Sequence, residues 1–174
     1  MLLQVHQASW KEDFNKVKAV LNTALEGLDI CVEHIGSTAV PDLAAKAIID
    51  IDIVFYAPTD FAEIKERLAK IGYYHNGDQG IQDREVFKRK KATAPYLVLD
   101  DITHHLYVCP SHSEELKRHL AFRDFLIQNE AARKEYQAIK YEIAEAADQD
   151  KKRYAKLKED WAREFVLSVL RRAG

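Results

Sequence analysis

The stretch that decides the fold runs from residue 34 to residue 55 and reads HIGSTAVPDLAAKAIIDIDIVF. Its second half alternates apolar and acidic side chains, which is typical of a β-strand because successive side chains point to opposite faces. One face carries the apolar residues Ile49, Ile51, Ile53 and Phe55. The other face carries Asp50 and Asp52, whose Cα atoms are about 7 Å apart in a strand. We therefore expect a strand that faces a core on one side and presents two carboxylates on the other.

The paired carboxylates favour a metal and phosphate site. Two like charges at this distance repel each other unless a cation lies between them, and Mg²⁺ is commonly held by one or two carboxylates with phosphate oxygens. Upstream, Gly36 permits close approach of the backbone, and the Ser37 hydroxyl with nearby N–H groups bonds phosphate oxygens. Two alternatives stay open: a solvated acidic face on an edge strand, and a Gly36-Ser37 pair that only turns the chain.

The same residues carry a family resemblance. Gly36-Ser37, a spacer of twelve residues and then Asp50-x-Asp52 in an apolar strand resemble the signature of the nucleotidyltransferase superfamily. The chain more specifically resembles the GrpB (UPF0157) family. The stretches that carry this second resemblance are residues 32–41, 43–46 and 49–51, with further landmarks at 9–10, 103–108 and 122–126. The resemblance implies an α+β (mixed α/β) fold of nucleotidyltransferase-like type, with a small mixed sheet backed by helices.

The resemblance also implies a function. It suggests a protein that binds a nucleoside triphosphate with Mg²⁺ or Mn²⁺ and transfers a nucleotidyl group to an unknown acceptor, with Asp50 and Asp52 as catalytic residues and metal ligands. Superfamily members that catalyse use a third carboxylate on a neighbouring strand. The corresponding strand here, 103–109, carries His105 and Tyr107 instead. We therefore expect His105 as a third metal ligand, a preference for Mn²⁺ or Zn²⁺, and one metal rather than two. The alternative is that His104 and His105 are ordinary strand residues that form hydrogen bonds with their neighbours.

Two other functions fit the same resemblance. The missing third carboxylate favours a non-catalytic nucleotide- or anion-binding module. The family is also found fused to dephospho-CoA kinase in some bacteria, which suggests a protein partner in coenzyme A biosynthesis. A broad screen of acceptors distinguishes the enzyme from the binding module.

Basic residues supply candidates for phosphate binding. Lys46 lies four residues before Asp50, and Arg84 and Lys88 belong to a predicted strand at 84–89. If that strand lies beside Asp50, these residues form a positive wall of the cleft. A solvated surface is the alternative for all three.

Helical residues are candidates for closing the cleft. Arg123 with Asp124, and Tyr154 with Lys158, lie on predicted helices, and structural ion pairs are the alternative for them. His34 precedes the Gly-Ser turn, where it either faces the site or holds the turn in place.

The remaining pattern predicts the order of the elements. We expect helices from Ser9 to Gly27, over 42–46 and from Pro58 to Gly72, and strands at 30–35, 49–55, 73–74, 84–89, 96–99 and 103–109. Ser9 is the expected cap of the first helix, whose buried stripe is expected to be Phe14, Val17, Leu21 and Leu25. From Ser111 onward the pattern is helical, with Ser111 and Glu114 as a capping box or Ser113 as an alternative cap. The predicted buried stripes of these last helices include Leu116, Leu120 and Ile127, then Tyr136, Ile139 and Ile143, then Tyr154, Leu157, Trp161 and Phe165.

Length and composition bound the remaining expectations. The 174 residues predict one domain over 1–174, strand-rich to about residue 110 and helical from 111. A net charge of −2 argues against nucleic acid or an anionic membrane as a partner. The chain shows no secretory signal and no long apolar run, so we expect a cytoplasmic protein. Cys31 and Cys109 lie in apolar stretches and are expected to be buried free thiols.

Overall fold

The structure is a computed structural model that describes residues 1–57, 60–90 and 97–173. Its strands are β1 (Ile30–Ile35), β2 (Ile49–Phe55), β3 (Tyr73–His75), β4 (Glu85–Arg89) and β5 (His104–Pro110). Its α-helices are α1 (Ser9–Ala24), α2 (Asp60–Lys70), α3 (Leu97–Asp101), α4 (Glu114–Gln128), α5 (Glu130–Ala146), α6 (Lys151–Trp161) and α7 (Arg163–Ala173). A short 3₁₀ helix covers Ser37–Ala39. The predicted α+β fold, a small mixed sheet backed by helices, is confirmed.

The five strands of the described chain form one mixed sheet in the order β1-β2-β5-β4-β3. β2 pairs antiparallel with β1 and parallel with β5, and the other two pairs are antiparallel. In the parallel pair, Asp50 lies opposite His105 and Asp52 lies opposite Tyr107. The register therefore brings the acidic face of β2 beside the polar face of β5.

One face of the sheet is buried under α1 and α2. The β2 residues Ile49, Ile51 and Ile53 are at most 2% exposed. The predicted α1 stripe is buried in the same core, and its members are Phe14, Val17, Leu21 and Leu25. Burying an isoleucine contributes about 1.5–3 kcal/mol. Because a slip of one residue would exchange the isoleucines with the aspartates, this core fixes the register of β2.

The other face of the sheet meets the C-terminal helices. Leu116 of α4 packs against Val54 and Cys109, while Cys31 is only partly buried beside them. A second core joins α4 to α7 with the loop before β2. Its buried members include Leu43, Leu126, Tyr136, Ile143, Tyr154 and Phe165. The acidic side of β2 thus faces a helical layer and not open solvent.

Two predicted elements are wrong. No helix forms at 42–46, because Asp42 has a φ of 61° and Ala45 pairs with Gln4 in an isolated β-bridge. The helical turn of this loop is instead the 3₁₀ helix at Ser37–Ala39. The predicted strand at 96–99 is replaced by α3, which begins at Leu97. Tyr96 of this predicted strand lies outside the described residues, and so does Pro58 at the predicted start of α2.

The helix ends and stripes need four further corrections. Ser9 is the first residue of α1 and makes no capping bond, whereas Ser113 caps α4 by accepting a hydrogen bond from the Leu116 N–H. Ile127 is 42% exposed, so it is not part of the buried stripe. The predicted last helix is two helices, α6 and α7, and Trp161 at their junction is 50% exposed. Among the described helices, none combines the length and apolarity needed to span a membrane.

Candidate functional site

A cavity of about 370 Å³ opens between the acidic face of the sheet, the loop that precedes β2 and the C-terminal helices. The loop contributes Gly36, Ser37, Thr38 and Lys46, the sheet contributes Asp50, His105 and Tyr107, and the helices contribute His119, Phe122, Tyr136, Lys140, Tyr154, Lys158 and Val166. Of the predicted site residues, the cavity therefore brings together Gly36, Ser37, Lys46, Asp50 and His105.

Asp50 is the carboxylate that faces this cavity. Its side chain is 29% exposed, and its Oδ1 lies 2.9 Å from Nδ1 of His105. The carboxyl group is packed against Gly36, where an added Cβ would lie only 3.1 Å from both Cβ and Cγ of Asp50. Gly36 has a φ of 72° and a ψ of −172°, a conformation essentially restricted to glycine. The glycine thus permits the turn and leaves room for the carboxylate.

His34 and Thr38 hold the Gly-Ser turn from behind. The Thr38 hydroxyl donates to the Ile48 carbonyl, so it accepts from Nε2 of His34 at 3.0 Å. The His34 ring stacks on Phe14 with 4.6 Å between ring centroids. Burial of the imidazole lowers the pKa of His34 to about 4, which keeps it neutral in this role. Of the two predicted roles for His34, the structure supports the one that holds the turn.

Asp52 is placed differently from Asp50. It is fully buried and does not line the cavity. Its Oδ2 accepts a 2.8 Å hydrogen bond from Nδ1 of His119 on α4, and Oδ1 has no hydrogen-bond partner within the described protein. The expectation that both carboxylates open into one pocket is therefore wrong for Asp52, because α4 closes over it. Its predicted roles in metal binding and catalysis stay predictions.

Three lysines converge on the helical side of the cavity. Lys46 comes from the loop, Lys140 from α5 and Lys158 from α6. None of the three forms an ion pair with a carboxylate of the described residues. Burial and the nearby Lys158 lower the pKa of Lys46. The charge of Asp50 attracts all three lysines, but Asp50 forms no ion pair with any of them.

Lys140 is the most unusual of these lysines. It is 2% exposed, its Nζ donates to the Ala44 carbonyl, and it lies 5.4 Å from the Tyr136 ring centroid. Burial, followed by the charges of Lys158 and Lys46, lowers the pKa of Lys140 well below its ordinary value. An ammonium group has three donors, and a single carbonyl satisfies one of them. A buried lysine of this kind favours an anion as the missing partner.

The aromatic rings of this wall position the ammonium groups. Nζ of Lys46 lies 4.8 Å from the centroid of the Tyr154 ring, within the range of a cation–π contact. Gln137 of α5 accepts a 2.7 Å hydrogen bond from the Ala44 N–H, and Lys140 of the same helix donates to the Ala44 carbonyl. The loop that carries Lys46 is thus attached to the helix that carries Lys140.

The fit of a divalent metal to these residues is limited. Within the described ranges, no group of three or more His, Cys, Asp and Glu side chains is arranged to hold a metal. Asp50 is exposed to the cavity, and Asp52 has an unpartnered buried oxygen behind it. This donor set fits one cation whose other ligands come from a bound phosphate, and it does not fit two cations.

Arg84 and Lys88 do not lie where the sequence predicted. Strand β5 separates β4 from β2, so neither residue is beside Asp50 and neither lines the cavity. The Arg84 guanidinium lies 4.9 Å from the ring centroid of Tyr107, and Lys88 is exposed. A role for these two residues in ligand binding stays a prediction.

Of the two helical pairs that were candidates for closing the cleft, one lies in structural ion pairs and the other lines the cavity. Arg123 donates to Glu33 and Asp124, each at 2.7 Å, which is the structural ion pairing given as the alternative. Tyr154 and Lys158 instead line the cavity, as the prediction of a closing helix wall required.

Sequence reasoning missed Lys140, Tyr136 and His119 as site residues. For Lys140 a signal existed, because it lies four residues after Tyr136 and three before Ile143 on a buried stripe. A lysine in such a stripe is unusual enough to indicate a function. His119 carries no comparable signal, since it reaches Asp52 only through the packing of α4 on the sheet.

Comparisons with known proteins agree on one family. The profile of the family described as GrpB protein matches residues 1–167 of this chain. The glutamate-rich protein GrpB of Alkalihalophilus pseudofirmus is 31% identical over 95% of this chain and 94% of its own length. The crystal structure of the conserved protein GrpB from Enterococcus faecalis is similar with a TM-score of 0.77 and 29% identity, covering 98% of each chain.

A longer protein also contains a related segment. Dephospho-CoA kinase of Mycobacterium bovis is 29% identical over 88% of this chain, which spans 42% of that protein's length.

Proposed function

This chain belongs to the GrpB family, and we propose that it binds a nucleoside triphosphate in the cavity between the acidic face of its sheet and helices α5 and α6. The observation that carries the proposal is the lysine wall of Lys46, Lys140 and Lys158, which lacks carboxylate partners among the described residues. A polyphosphate supplies the several negative charges that such a wall requires, and a volume of about 370 Å³ is within the usual range of ligand pockets.

The protein's own groups divide the work of binding. Lys140 and Lys158 approach the phosphates from the helices, and Lys46 approaches from the loop. The Ser37 hydroxyl and the backbone of the Gly-Ser turn supply further donors to phosphate oxygens. Burial and the neighbouring lysines lower the pKa of Lys140, so a bound anion would favour the charged form of this lysine.

Asp50 is the residue that would hold one divalent cation, Mg²⁺ or Mn²⁺, with phosphate oxygens as the other ligands. When bound, that cation would neutralise charge on the phosphoryl oxygens. His105 already accompanies Asp50, and its side chain is 54% exposed, so it is free to move with the carboxylate. The predicted His105 ligand and the choice between Mg²⁺ and Mn²⁺ belong to the proposal.

The reaction that fits this assignment is nucleotidyl transfer to a hydroxyl group of a small molecule or protein. In it, the acceptor oxygen bonds to the α-phosphorus, the bond to pyrophosphate breaks, and the acceptor proton goes to a base. A binding module without turnover is the second candidate. It is favoured by β5, which sets His105 and Tyr107 opposite Asp50 and Asp52 and offers no third carboxylate there.

Calorimetry of a non-hydrolysable ATP analogue, with and without Mn²⁺, tests the binding proposal. Lys140→Met should weaken binding about 10- to 100-fold, because a hydrogen bond to a charged group contributes about 1.5–3 kcal/mol. Lys134→Met is the matched control, since Lys134 is on the same helix and its side chain is 74% exposed. Asp50→Asn should remove the dependence on Mn²⁺. Equal affinities for all four proteins would overturn the site.

Pyrophosphate release in a screen of hydroxyl acceptors separates the two candidates. Release by the wild type that Asp50→Asn abolishes supports the enzyme. Tight nucleotide binding without release across the screen supports the binding module.

A link to coenzyme A biosynthesis is a further candidate, favoured by the related segment in dephospho-CoA kinase. It predicts that purified dephospho-CoA kinase binds this chain in solution. An absence of complex in analytical ultracentrifugation at micromolar concentrations would contradict it.

A further inference from the structure

The buried carboxylate of Asp52 is held by a group that the proposed nucleotide site does not use. His119 of α4 donates from Nδ1 to Asp52 at 2.8 Å, and its Nε2 lies 3.3 Å from Oε1 of Glu115, one turn earlier in the same helix. Ionised carboxylates only accept hydrogen bonds. Because each ring nitrogen of His119 faces a carboxylate oxygen, this arrangement favours the protonated, positively charged imidazole.

The surroundings of His119 agree with a fixed positive charge. Burial disfavours the charged imidazole, but hydrogen bonds and charge from Asp52 and Glu115 outweigh it and raise the pKa of His119 to about 9. From β5, the Tyr107 ring contacts His119, with 6.3 Å between the ring centroids. The guanidinium of Arg84 lies over the same tyrosine ring. The imidazolium is thus enclosed by groups from β2, β5 and α4.

The position of this cation relates it to the nucleotide site. His119 lines the same cavity as Asp50 and the three lysines, whereas Asp52 does not. Asp52 is two residues from Asp50 on one face of β2. His119 therefore connects the buried carboxylate of Asp52 to the cavity that Asp50 faces.

We propose that His119 is a positioning residue that takes the place of a second divalent cation: it neutralises Asp52 from within the protein and leaves one cation to enter with the nucleotide at Asp50. The inference rests on the proposed function for that one cation and for the nucleotide. In this proposal the partner of Asp52 is His119 and not a metal ion, so the site differs from a two-metal arrangement.

Counting bound Mn²⁺ tests this role, by electron paramagnetic resonance of free Mn²⁺ with and without the non-hydrolysable ATP analogue. The wild type should bind one Mn²⁺ per chain with the analogue. His119→Ala exposes the carboxylates of Asp52 and Glu115 to the cavity and should gain one further Mn²⁺, even without the analogue. His119→Lys restores the positive charge and should not gain it.

Two further proteins complete the test. The double variant His119→Ala/Asp52→Asn should lose the gained ion, because the carboxylate that holds it is gone. His112→Ala is the matched control, since His112 is exposed and precedes the same helix. Circular dichroism establishes that each variant is folded.

The outcomes separate this inference from the proposed function. Two Mn²⁺ bound by the wild type, or no gain in a folded His119→Ala, overturns the role of His119. If His119→Ala does not fold, the count on the wild type and on His119→Lys still decides, and two ions on either one overturn the role. Failure of the wild type to bind the analogue overturns the proposed function, while a Mn²⁺ gained by His119→Ala alone still supports the role of His119.

Discussion

Replacing Gly36 with alanine tests whether this glycine sets the position of Asp50. The substitution places a methyl group where the Asp50 carboxyl now lies, 3.1 Å from its Cβ and Cγ and closer to one oxygen. The backbone of Gly36, with a φ of 72° and a ψ of −172°, is also unfavourable for alanine. Gly77 is a matched control, because its φ is 73° but an added Cβ would meet nothing within 4 Å.

The structure gives the expected size of each effect. Alanine at positive φ costs about 1 kcal/mol at Gly77. Gly36→Ala has at least this backbone cost, because its ψ of −172° is less accessible to alanine. It has a further cost of about 2 kcal/mol, because Asp50 must leave its rotamer and its partner His105. For a chain of this length, 1 kcal/mol lowers Tm by about 3 °C. We expect a decrease in Tm of about 3 °C for Gly77→Ala and of at least about 9 °C for Gly36→Ala.

Thermal unfolding followed by circular dichroism measures both decreases, and calorimetry measures the Mn²⁺ affinity of the folded variants in the presence of nucleotide. Gly36→Ala should weaken the affinity for Mn²⁺, whereas Gly77→Ala should leave it unchanged. Equal decreases in Tm for the two variants would refute the reasoning, because the contact with Asp50 would then contribute nothing. An unchanged Mn²⁺ affinity in Gly36→Ala would show that the carboxylate does not depend on this glycine.

Three other predictions concern the scaffold around the site. Because burial lowers the pKa of His34 to about 4 in the folded state, the unfolded chain takes up a proton first, and the free energy of unfolding should fall by about 2 kcal/mol from pH 7 to pH 5. His34→Gln should lose that part of the decrease in chemical denaturation at the two pH values. Ser113→Ala should lower the free energy of unfolding by about 1 kcal/mol, because it removes the cap of α4. Ser111→Ala should lower it by less than about 0.5 kcal/mol. A larger effect of Ser111→Ala would show that Ser111 is the cap. Arg89→Met removes two hydrogen bonds to Asp100, at 2.7 and 3.1 Å, and should lower the free energy of unfolding in urea by about 3 kcal/mol. An unchanged free energy of unfolding would show that this ion pair does not stabilise the fold.

The sequence pattern was sufficient for elements whose burial is periodic. The alternation in β2 and the stripe of α1 were predicted because one face of each is apolar and packs in the same core. The loop at 42–46 was not predictable in the same way. Its helix-like composition is overridden by the β-bridge of Ala45 to Gln4 and by hydrogen bonds from α5 to Ala44. Such tertiary contacts join residues that are far apart in the chain, and local propensity does not contain them.

The residues of the candidate site also divide into those that the local sequence predicted and those that only tertiary packing brings together. Gly36, Ser37 and Asp50 are close in sequence, and one turn and one strand bring them together, so their spacing was informative. Lys140 and His119 come from helices whose approach to the sheet depends on a second core between α4 and α7. The sequence assigned both residues to helices, but the sides of those helices that face the cavity follow only from the packed structure. Burial of Asp52 under α4 was missed for the same reason.

The charges of the cavity form two groups that do not neutralise each other directly. Asp50 is accompanied by His105 on one side, while Lys46, Lys140 and Lys158 repel each other on the other side. A cation held only by Asp50 would add to the positive charge that faces the lysines, and an anion alone would approach a carboxylate. A ligand that carries several negative charges together with one cation satisfies both groups. Burial and the neighbouring lysines lower the pKa of Lys46 and of Lys140, so an anion that raises these pKa values favours protonation of both amines. The proposed function therefore predicts that the binding of phosphate, cation and protons at this site is linked.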